Sequence, residues 1–169
     1  MSIISSCNNN LENITTDRFT QIFQLNTPIY ELLKKNKITI KSPINVTEVL
    51  LDKFCSIYNE QLILDYRIFK CIAKPSTYSI IINHILKNIN KILLTTQLFS
   101  VYIYSKSITI TAADKYIPFI YKLTETLTTA YPDKLDKCYI YEASFVFQQI
   151  LGMLSMFIDK KTLSKIQLL

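Results

Sequence analysis

The sequence predicts an α/β protein with a mostly parallel sheet covered by helices. Three observations carry this reading. From about residue 62, strand-like and helix-like runs alternate as β-α-β-α-β-α-β, an order that implies parallel strands joined by right-handed crossovers. Within it, Tyr78, Ile81, Ile82, Ile85, Leu86, Ile89, Ile92 and Leu93 recur at helical spacing, opposite Asn83, Lys87, Asn90 and Lys91. The chain has 169 residues, 49% of them apolar, which suits one domain with a sizeable core and a small appendage. The expected organisation is a reduced helical region over 1–61 and a sheet domain over 62–169.

In chain order, the polar segment Met1 to Asn10 predicts disorder and no secretory signal, hence a reducing, cytoplasmic location. Phe19, Ile22 and Phe23 predict a helix over 16–25, and Pro28 divides it from a second over 28–35. Lys37 to Lys41 alternates like a short strand. Asn45 or Thr47 is placed to cap a helix whose face is Val49, Leu50, Phe54, Ile57 and Tyr58. Leu62 to Ala73 has strand composition through Ile63, Tyr66, Ile68, Phe69 and Ile72. Pro75 starts the 78–93 helix, on whose border His84 reads as a surface or boundary residue.

Leu98 to Tyr104 is composed like a buried strand and Ser105-Lys106-Ser107 like a turn. Thr111 to Asp114 resembles a capping box. Pro118 either kinks the next helix or begins it, with Ile117, Ile120, Tyr121, Leu127 and Ala130 facing inward. Tyr131-Pro132 is a turn, 138–141 a strand, and the uncharged run 143–158 a helix with Phe147, Ile150, Leu151, Leu154 and Ile158 along one stripe. Ile166 to Leu169 closes as a strand. If the runs at 98–104 and 138–141 were helical instead, the protein would be an all-α binding protein.

Composition excludes several chemistries. The single glycine, Gly152, leaves no P-loop, dinucleotide fingerprint or nucleophile elbow, all of which need glycine at sharp turns. Four cysteines without a C-x-x-C and one histidine do not make a zinc site. Net charge is +6, but the lysines come in pairs without interleaved aromatics, which argues against nucleic acid. The uncharged run at 143–158 falls short of the roughly 20 residues that span a bilayer.

The residue order Tyr131-Pro132-Asp133-x-Leu135, Tyr139-Ile140, Ala143, Phe145, Phe147, Phe157-Ile158-Asp159, Lys161-Thr162 and Ser164-Lys165-Ile166 resembles the CRAL-TRIO lipid-binding domain. That family includes the yeast-type phosphatidylinositol/phosphatidylcholine transfer proteins. The chain departs from the family pattern at Tyr104 and Ser107, where D-x-x-G is usual, and at Glu142 and Ser144, where N-A-P is usual.

The resemblance implies a non-enzymatic protein with no cofactor or catalytic residue, holding one phospholipid under a mobile gate helix. Phe145, Phe147, Ile150, Leu151, Leu154 and Phe157 would line the gate, with Met153 and Met156 beside them. Asp133, Thr162 and Lys165 would hold an inositol phosphate headgroup. Phe99 and Val101 stand where choline-lipid binders place hydroxyls, which favours phosphatidylinositol. The implied partners are phospholipid and a transient membrane surface, with self-association possible at an apolar edge. The alternative is a protein-interaction module with a collapsed pocket.

Overall fold

The computed structural model describes residues 18–35 and 48–169. By its contacts the chain divides into two compact units, Met1–Ile38 and Thr39–Leu169. In the first unit, residues 18–25 and Thr27–Lys35 are helical. The expected disorder at the N-terminus, strand at 37–41 and caps at Asn45 and Thr47 lie outside the described residues.

The second unit contains a five-stranded sheet whose strands lie side by side in chain order: β1 (Cys55–Tyr58), β2 (Gln61–Asp65), β3 (Phe99–Tyr104), β4 (Leu135–Tyr141) and β5 (Ile166–Leu168). β1 pairs antiparallel with β2, and the remaining pairs are parallel. The helices are α1 (Glu48–Phe54), α2 (Tyr66–Ile72), α3 (Tyr78–Leu93), α4 (Ile110–Lys115), α5 (Ile117–Ala130), α6 (Phe147–Leu154) and α7 (Lys160–Leu163). This is the predicted α/β architecture, and the five strands exclude the all-α alternative.

Local physics corrects the predicted elements in several places. Ile57 and Tyr58 belong to β1, not to a helical face. Asn59 and Glu60 both take positive φ (48° and 59°), so the chain reverses in a two-residue hairpin and pairs Tyr58 with Gln61. In α1 it is Leu51 and Phe54 that are buried, while Val49 is exposed. The run 62–73 is not one strand. Asp65 stops it by accepting from the Arg67 amide at 3.0 Å, which caps α2. A short run of Ile, Phe and Tyr fits either state, and the cap decides.

Further along, Thr109 is the cap of α4, accepting from the Ala112 amide, so the box expected at Thr111 does not form. Pro118 sits at the start of α5, where its missing N–H has no helical partner to lose. Phe119 is the buried residue of α5, whereas Tyr121 and Ala130 are exposed. The predicted helix over 143–158 shrinks to Phe147–Leu154. The chain leaves β4 through Glu142 at φ 50°, turns through a Phe147 N–H to Ser144 carbonyl bond, and unwinds after Leu154.

His84 is buried, not superficial. It contacts the Cys55 carbonyl at 3.1 Å, beside a donation from the Asn88 amide to the same oxygen. Together they occupy a carbonyl that β1 would otherwise leave bare at a sheet margin.

Register sorts the sheet into two chemically distinct faces. Leu62, Leu64, Val101, Ile103, Cys138, Ile140 and Ile166 are cross-strand partners on one face. Tyr102, Tyr104, Tyr139 and Tyr141 point the other way, with Tyr102 stacked on Tyr139 at 4.6 Å. At the ends of β2 and β3, Asp65 and Arg67 form a buried pair at 2.9 Å, and the guanidinium lies 4.6 Å from the Tyr104 ring centre. An aromatic group of Phe69, Tyr116, Phe119 and Tyr78 joins α2, α3 and α5 on the helical side, with neighbouring centroids 4.7–5.1 Å apart.

Candidate functional site

The aliphatic face of the sheet packs on its helices through a cluster that includes Ala113, Ile140, Phe147, Ile150 and Leu154, but the packing is incomplete. Two adjoining cavities lie between them, of about 260 Å³ and 440 Å³. The smaller lies toward the C-terminal ends of the strands. Its floor is Leu64, Ile103, Cys138 and Ile140, and its walls include Phe69, Tyr116 and Phe119. Phe147, Ile150, Leu151, Leu154 and Ile158 close it from the α6 side. Ser105 is among its few polar neighbours, and that hydroxyl lies 3.1 Å from the Tyr141 carbonyl, to which it donates.

The larger cavity lies over the N-terminal halves of the strands. Leu62, Phe99 and Val101 form its floor, with Ile85 and Ile89 of α3 and Leu123 and Leu127 of α5 above. Leu64, Ile85, Ile103, Leu123, Leu135, Cys138 and Thr162 belong to both linings, so the two spaces share a wall. Cys138 is half-buried by its contact surface yet deep in the protein, because the surface it retains faces these cavities. Burial pushes its thiol up to about 12, so it is neutral at physiological pH.

The larger cavity ends in a polar rim where Asp133, Asp159, Lys161, Thr162 and Lys165 meet. Asp159 caps α7, accepting from the Thr162 amide at 2.9 Å and from its hydroxyl at 2.6 Å. Those bonds hold the Asp159 carboxyl below the usual carboxylate range. Asp133 sits in the Tyr131–Lys134 turn at φ 57° and pairs with the Lys161 ammonium, which lowers its pKa through hydrogen bond and charge. The Lys165 ammonium donates to the Leu135 carbonyl.

The CRAL/TRIO domain family matches residues 79–169, more than half of the chain. This chain belongs to that family. Membership in the CRAL/TRIO family carries binding and transfer of a lipid or other small hydrophobic ligand as the general function. No curated protein matches the chain. Among the described residues, no helix is long and apolar enough to cross a membrane.

The residues singled out from the sequence divide between these features. Phe147, Ile150, Leu151 and Leu154 face the smaller cavity. Phe145 points to solvent at 93% exposure, and Phe157 packs beside the Tyr121 ring at 6.4 Å. Asp133, Thr162 and Lys165 come together on the rim of the larger cavity. Lys161 and Asp159, not singled out as site residues, complete that rim. Both stand in the residue pattern that carries the family resemblance, which was their sequence signal. Ile85 and Ile89 of α3 and Ile120 and Leu127 of α5 were legible as inward-facing, whereas Phe119 and Leu123 were not, and periodicity does not distinguish a wall from a packed core.

Proposed function

We propose that this CRAL/TRIO protein takes up one phospholipid, with phosphatidylinositol favoured, and exchanges it at membrane surfaces without covalent chemistry. The cytoplasm is its proposed location. The observation that carries the reading is the pair of adjoining cavities, apolar over the sheet and polar where Asp133, Thr162 and Lys165 meet. Each buried methylene contributes about 0.8 kcal/mol, so an acyl chain leaves a bilayer only for an equally apolar space.

Scaled from a cavity of about 150 Å³ that takes up benzene, the two spaces have room for roughly thirty carbon atoms. A diacyl lipid with its headgroup is larger, and an outward swing of α6, whose residues line the smaller cavity, would enlarge it. In this reading α6 is the gate, with Phe147, Ile150, Leu151 and Leu154 as its inner surface.

Native mass spectrometry of the purified protein, with extraction of bound lipid, tests this. One phospholipid per chain is the expected result. A protein that is empty and takes up nothing from phosphatidylinositol-containing vesicles overturns it. A second reading, an interaction module for another protein, draws on Phe145 and Met156, exposed by 93% and 80% on either side of α6. Empty protein would move the assignment there.

A further inference from the structure

On the rim of the larger cavity, every group suited to hold a phosphate already has an internal partner. The Thr162 hydroxyl donates to Asp159, the Lys161 ammonium to Asp133 and the Lys165 ammonium to the Leu135 carbonyl. Two carboxylates thus stand where an anion would stand. The Lys165 ammonium faces only a neutral carbonyl, so it is at Lys161 that an incoming phosphate competes with a carboxylate. The Lys161–Asp133 pair is the easier to displace, because both side chains are exposed, at 65% and 74%, and solvent weakens such pairs. The Asp159–Thr162 contact is part of a helix cap and is retained by α7 itself.

We propose that Lys161 is a phosphate-binding residue of this rim and that Asp133 is its built-in competitor, an autoinhibitory contact that lowers affinity for a phosphate headgroup. The inference rests on the lipid-binding reading above and inverts the role that the resemblance implies for Asp133, which is to help hold the headgroup. The two roles predict opposite signs for one substitution. Asn at position 133 removes the charge and tolerates the positive φ of the turn, so the backbone is preserved.

The test measures uptake of phosphatidylinositol from vesicles by the full chain, its D133N, K161Q and K161R variants, and the D133N/K161Q double variant. Inorganic phosphate binding is measured in parallel. Removing an exposed competitor should raise apparent affinity by about two- to fivefold in D133N. K161Q should lose affinity, K161R should retain it, and D133N should have no effect in the K161Q background. A gain with vesicles alone assigns the phosphate to a lipid headgroup, and a gain with inorganic phosphate as well assigns it to phosphate in general.

Reduced uptake in D133N, or unchanged uptake in K161Q, overturns the proposal while leaving lipid binding intact. Failure of the unsubstituted chain to take up any lipid overturns the underlying reading instead. Circular dichroism of each variant confirms that the exposed substitutions leave the fold in place.

Discussion

Replacing Cys138 with leucine separates a ligand cavity from a packed core by sign. The residue stands in the wall shared by both cavities, and its thiol is uncharged because burial raises its pKa to about 12. Cys138→Leu therefore removes no charge. It exchanges one sulfur for three carbons, a gain of about two methylene-sized groups. If those groups enter empty apolar space, each contributes about 0.8 kcal/mol, so stability rises by at most ~1.5 kcal/mol, less for residual burial in the unfolded chain. In a filled core the same enlargement costs about 1–3 kcal/mol. Urea denaturation gives the stability change, provided the slope is unchanged. Vesicle uptake gives the functional one, and it should fall as the side chain occupies ligand space. A variant destabilised by more than about 1 kcal/mol, with uptake intact, would refute the assignment of this space to a ligand.

Asp65→Ala should cost about 3–5 kcal/mol, because it leaves the buried Arg67 guanidinium without its carboxylate and removes the cap of α2; a loss under 1 kcal/mol in chemical denaturation would contradict this. Glu60→Gly should stabilise by about 0.5–1 kcal/mol, since glycine relieves the left-handed strain at φ 59° and creates the Asn-Gly pair preferred in two-residue hairpins. A lower denaturation midpoint would count against that turn. Gly152→Ala should raise the thermal midpoint by the equivalent of about 0.5–1 kcal/mol, because a methyl there meets nothing within 4 Å and α6 gains helix propensity. A destabilised G152A protein would show that α6 requires a close approach at that position.

The sequence by itself determined the α/β class, the parallel alternation and the inward face of α3. Those depend on period and composition, which are local properties of the chain. The same locality explains the failures. Nothing in the composition of the run 62–73 states that Asp65 will turn its carboxylate onto the Arg67 amide and convert strand to helix. Asn59-Glu60 lacks the glycine that announces a tight hairpin, so the helical spacing runs on through Ile57 and Tyr58 with no signal that β1 begins. The uniform run 143–158 has helical period throughout, yet only Phe147–Leu154 coils, because the chain must first turn off the end of β4.

The candidate site was legible in part. The turn at Asp133 and the segment at Thr162 and Lys165 could be named from their order along the chain. That they converge, and that Lys161 is the partner Asp133 finds, depends on β4 and β5 lying side by side. Only the tertiary structure decided that the packing of sheet and helices leaves two cavities between them. Local sequence records which side chains turn inward. Whether they meet is set by how far the crossovers hold the helices from the sheet, a sum over contacts among residues distant in the chain.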